Sequence, residues 1–122
     1  MTAYAARTLN EALHNLELAR IEMFRPEEEV VSFSACHYSR ISIRRFLEAF
    51  LEQKNIAFKS EESNANLLER CKKINPVFSE LDVSVMECRD EKGCGETYCL
   101  SVEKVKECLV LAEKLKKVML EG

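Results

Sequence analysis

Apolar residues recur with the period of an α-helix over three long stretches of this chain, which limits it to helices packed on helices. From Ala3 to Phe24, the residues Ala5, Leu9, Ala12, Leu16, Ala19 and Met23 fall within one arc at ~100° per residue. Arg7, His14, Leu18 and Ile21 lie on the other side, where two large aliphatics are more than a solvated face needs. A second helix is expected from Pro26 to about Lys54, opened by Pro26 and the acids Glu27, Glu28 and Glu29. Its buried arc takes in Val31, Ala35, Tyr38, Ser42, Ile43, Phe46, Leu47, Ala49 and Phe50. The small Ala35, Ser39, Ser42 and Ala49 allow a neighbouring helix to come close. In the last stretch Val105, Cys108, Leu109, Ala112, Leu115 and Met119 make a stripe, capped by Ser101, with Glu113 and Lys117 placed to pair.

The connections are as informative as the stripes. Asn55 followed by Ile56 reads as a helix stop, with asparagine left-handed and isoleucine folding back. Ser63 or Asn64 caps a short helix carrying Leu67, Leu68, Cys71 and Ile74, which ends at Asn75-Pro76. Val77, Phe78 and Leu81 add a further turn. From Asp82 to Leu100 no helical stripe is present, and Gly93-Cys94-Gly95 marks an irregular surface loop or a single hairpin. The expectation is one all-α domain over 1–122, an antiparallel up-and-down four-helix bundle with an irregular loop before its last helix.

The chain has 122 residues, and 18 Lys+Arg stand against 21 Asp+Glu for a net charge of -3. That balance excludes a global electrostatic grip on nucleic acid but leaves room for a local basic face. No stretch approaches the ~20 apolar residues that span a bilayer, and no signal-peptide core is present, so a cytoplasmic location is expected.

On helix two, His37, Arg40 and Arg44 share a face, with Arg45 at its edge. Such cations suit a phosphate, a nucleotide, an RNA backbone or an acidic partner. The plain alternative is a solvated face balanced by Glu48 through water or salt bridges. Arg7 and His14 sit two turns apart, ~10 Å along the first helix, too far for joint work on one phosphodiester within one chain. Cys88, Cys94 and Cys99 are weak candidates for zinc or redox chemistry, since no CxxC is present and a structural zinc site needs four ligands. Cys36, Cys71 and Cys108 read as small core residues. No cofactor motif is present.

The segment from Ala35 to Leu51, continued by Lys54-Asn55-Ile56-Ala57-Phe58, resembles the central helix and following turn of small prokaryotic HEPN proteins. Ser63 to Cys71 resembles that family's short leucine-rich helix, and Ser101 to Leu120 its closing helix. The resemblance implies a homodimer, for which Leu18 and Ile21 are the candidate face. It also implies a setting of toxin–antitoxin type, with a nucleotidyltransferase as partner. Catalytic members are metal-independent ribonucleases with an Arg-x(4–6)-His motif late in the bundle, whereas here no histidine follows His37. The expected function is therefore non-catalytic binding of a nucleotide, RNA or partner protein. The alternatives are an endoribonuclease site formed across a dimer and a zinc- or redox-responsive module.

Overall fold

The computed structural model describes residues 3–25, 32–81 and 102–121, with side chains for 3–25, 34–81 and 105–120. Among them are four α-helices: α1 (Ala3–Met23), α2 (Ser32–Gln53), α3 (Asn64–Ile74) and α4 (Val102–Glu121), with a 3₁₀ turn at Pro76–Glu80. No strand occurs among the described residues. The all-α bundle expected from the periodicity is present. The expected loop of 82–100, the opening acids Glu27 to Glu29 and the Ser101 cap lie outside the described residues.

The pairing of α1 with α2 is the tightest in the fold because both helices offer small residues. Ala5, Ala12 and Ala19 on α1 and Ala35, Ser39, Ser42 and Ala49 on α2 are all fully buried. The backbones come close enough for the Ser42 hydroxyl to donate to the Ala12 carbonyl oxygen at 2.8 Å. Arg45 pairs with Glu11, and Glu52 is hydrogen-bonded to Thr8, so α2 advances while α1 recedes and the two are antiparallel. Met23 near the end of α1 packs with Ala35 and Cys36 near the start of α2 and Val105 near the start of α4.

The main core lies between these helices and is built on Leu16, Ile43, Phe46, Leu47, Leu51, Leu67, Phe78 and Leu115, each at most 1% exposed. Leu111 joins it, a residue the stripe on α4 omits. Leu9, Met23, Tyr38, Leu109 and Met119, expected inside, are only half-buried. Phe78 meets Phe50 edge-on, with ring centroids 4.7 Å apart, which seats the 3₁₀ turn against α2. Cys36, Cys71 and Cys108 are buried, as expected of small core residues. Burial pushes the Cys71 thiol up to about 12, so it behaves as a core residue and not as a nucleophile.

The stop after α2 takes the form that the Asn55-Ile56 pair implies. Asn55 is left-handed with φ 61°. Its N–H donates to Glu52 O at 3.0 Å and that of Ile56 to Leu51 O at 2.9 Å, closing a Schellman motif. Ser63 caps α3, its hydroxyl oxygen accepting from the Asn66 N–H at 3.0 Å. No described helix is long and apolar enough to cross a membrane.

Ser39 and Ser42 make a paired test of this packing. The Ser39 hydroxyl is buried with no hydrogen-bond partner among the described residues, whereas that of Ser42 bridges to α1. In urea unfolding, Ser42→Ala is expected to cost about 1 kcal/mol, while Ser39→Ala should be neutral or slightly stabilising.

Candidate functional site

The basic face of α2 is organised around a buried acid. Glu48 is 6% exposed and lies one turn beyond Arg44 and Arg45 on the same helix. Arg44 Nε donates to Glu48 Oε2 at 2.7 Å and Arg45 Nη1 to Glu48 Oε1 at 2.6 Å. Each guanidinium then reaches a second element. Arg44 donates to the backbone carbonyl of Glu62, and through Nη2 to those of Lys59 at 3.2 Å and Ser60 at 3.1 Å. Arg45 Nε approaches Glu11 Oε1 on α1 at 3.3 Å. The bond to Glu48 holds the Arg45 guanidinium protonated even more firmly than usual.

These contacts turn the chain back along α2. The connector from Ile56 to Glu62 lies over Arg44, and α3 sets off from there. Glu62 Oε1 accepts from the Lys59 N–H at 2.9 Å, and Glu62 Oε2 pairs with Arg70 Nε at 3.0 Å. With the Lys59 N–H as the largest influence, its carboxyl is held below the usual range.

Two recesses flank the Glu48 network. One is an open groove of about 550 Å³ lined by Arg40, Ile41, Arg44, Arg45, Glu48, Ser60, Ser63 and Asn64. It contains three arginines against one carboxylate and adjoins the N-terminus of α3, the positive end of that helix. The other recess, of about 430 Å³, lies between α1 and α2 and is walled by Tyr4, Arg7, Thr8, Glu11, Arg45, Glu48, Glu52, Phe58 and Ser60. There burial, with Glu48 and Glu11 adding repulsion, raises the Glu52 carboxyl above its ordinary value against the opposing Thr8 bond and Arg45.

Of the residues singled out on α2, the groove brings together Arg40, Arg44 and Arg45. His37 is half-buried, its ring 5.7 Å from that of Tyr38, and it is not part of the groove lining. His14 is exposed on α1, and Arg7 belongs to the second recess, so the two do not converge. Leu18 is half-buried and Ile21 is 52% exposed. Glu113 pairs with Arg20 of α1 at 3.4 Å, an interhelical contact that the Glu113-Lys117 spacing gave no sign of. Cys88, Cys94 and Cys99 lie outside the described residues, among which no group of three ligands could hold a metal ion. The acids Glu11 and Glu52 were missed altogether. Their signal was faint: Glu52 follows Glu48 by one turn, but nothing in the spacing shows that α1 delivers Glu11 to the same place.

Comparison with known proteins gives no match to a family model, a curated protein or a solved structure. The class that the fold defines is an all-α helical bundle.

Two titrations and one truncation test this description. Arg44→Ala is expected to lower stability by roughly 2–3 kcal/mol in urea unfolding, because it strips a buried carboxylate and three carbonyls of their donor. Glu52→Gln should stabilise the protein at pH 7. Its wild-type carboxyl is raised in the folded state, so ionisation there costs stability as pH rises through the usual carboxylate range. The gain should vanish below about pH 4, where Glu52 is protonated folded or unfolded. Glu62→Gln has the opposite sign, costing stability at pH 7 and nothing once pH falls through the depressed value.

Proposed function

We propose that this chain is a non-catalytic, HEPN-like binding module that holds a phosphate-bearing ligand, a nucleotide or RNA, in the groove between α2 and the start of α3. The observation that carries this reading is the charge in that groove, where Arg40, Arg44 and Arg45 face a single carboxylate already held by two of them. Three arginines and the positive end of a helix favour an anion with several acceptor oxygens. Arg44 acts as a fixed charge, since its donors are committed to Glu48 and the connector. Arg45, with its side chain 41% exposed, supplies the more adjustable contact, and Arg40 adds a third positive charge to the lining. Among the described residues the groove lining holds no histidine, which favours binding over cleavage in this reading. In this reading the chain acts as a homodimer through Leu18 and Ile21, with a nucleotidyltransferase as partner. The exposure of Ile21 favours the first, and the resemblance to HEPN proteins is the ground for the second.

Fluorescence titration with a labelled single-stranded RNA and a labelled nucleotide tests the site. Arg40→Glu should weaken binding about tenfold or more with an unchanged helical spectrum, while Arg7→Glu in the other recess should not. Absence of binding by the wild type, or equal affinity in Arg40→Glu, would remove the assignment. RNA cleavage in the presence of chelator, lost in His14→Ala or His37→Ala, would favour the endoribonuclease instead.

A further inference from the structure

The outward face of α4 has no described element packed on it. Val110 is 52% and Leu120 55% exposed, ten residues apart, or ~15 Å along the axis. Lys114, Lys116 and Lys117 lie between them and rim a shallow groove of about 560 Å³. The one acid of that lining, Glu113, is held by Arg20 of α1, which leaves the rim basic.

We propose that this face docks an acidic amphipathic helix of a partner protein. Every lining residue belongs to α4, so the groove runs between the side-chain rows of one helix, the shape that accepts a ridge of side chains from another. Val110 and Leu120 would meet apolar anchors nearly three turns apart on the incoming helix, and glutamates flanking that ridge would face the lysines. An anionic membrane shares the charge preference but not the shape. Insertion needs a continuous apolar face with bulky side chains, and this one offers Leu109 and Val110 at one end and Leu120 at the other, with lysines between. A second copy of the chain is a poorer match. Its exposed Ile21 on α1 and Phe24 just beyond it stand beside Glu17, Arg20, Glu22 and Arg25, a balanced set of charges that a lysine rim does not select.

The test uses the full chain and a fluorescein-labelled peptide of ~20 residues, with leucines at helical spacing on one face and glutamates elsewhere. A scrambled peptide of equal composition and phosphatidylserine vesicles serve as comparisons. The helical peptide should bind saturably and lose affinity at least about fivefold as salt rises from about 50 to about 500 mM. Val110→Asp, and separately Lys114→Glu with Lys117→Glu, should each weaken it about tenfold without altering the helical spectrum. The proposal fails if the scrambled peptide binds as well, if no binding occurs at about 1 mM, or if the α4 variants bind like the wild type. Vesicle binding that depends on Val110, with no peptide binding, would assign the face to a membrane. Conversion of a dimer to a monomer by the α4 variants in sedimentation would assign it to a second copy.

Discussion

Glu48 sits inside the bundle with its side chain 7% exposed, and a carboxylate in that position is stable only with cations bonded to it. Both cations come from its own helix, at the third and fourth residues before it, a spacing that places all three side chains on one side of α2. Neither arginine ends its work there. Through Arg44 the acid fixes the connector that follows α2, and hence the point from which α3 departs. Through Arg45 it also reaches α1, because Glu11 is the second partner of that guanidinium. One buried charge thus links α2 to the connector, to the start of α3 and to α1.

Much of this architecture is written locally and could be read locally. The left-handed residue at Asn55, the Ser63 cap, the end of α3 at Asn75-Pro76 and the small residues that admit α1 to α2 each depend on a few neighbours in sequence. What escaped reading was polar and distant. Glu48, Glu22 and Thr8 are buried, yet the stripes read from periodicity include none of them, because a long polar side chain on such a face is assigned to water. Leu9 and Met23 were over-assigned for the related reason that a stripe gives a direction and not a depth.

The candidate site divides in the same way. The shared face of Arg40, Arg44 and Arg45 follows from helical spacing, so the cluster could be found. Its balance with Glu48 was foreseeable as the plain alternative, since i,i+3 and i,i+4 pairs are written in the sequence. Nothing there showed that the connector would return to Arg44, because that depends on where residues 59 to 62 settle in space. Salt bridges between elements leave no periodic trace, which is why Arg20 with Glu113 and Arg45 with Glu11 were both invisible.

The geometry also bears on how such a groove can discriminate among anions. A ligand cannot recruit Arg44, whose side chain is 18% exposed, without leaving Glu48 short of a partner and three carbonyls without a donor. It can compete with Glu11 for Arg45, whose side chain is 41% exposed and bonded to Glu11 at the longer of its two contacts. Exchanging a partly solvated carboxylate for a singly charged anion gains little, since one surface ion pair replaces another. In the proposed reading, a phosphate with two charges and three acceptor oxygens would bond Arg45 while the charges of Arg40 and Arg44 contribute through space. On the reading proposed above, the buried acid occupies the best donors, and what it leaves exposed favours a ligand that brings several phosphate charges over a lone, singly charged anion.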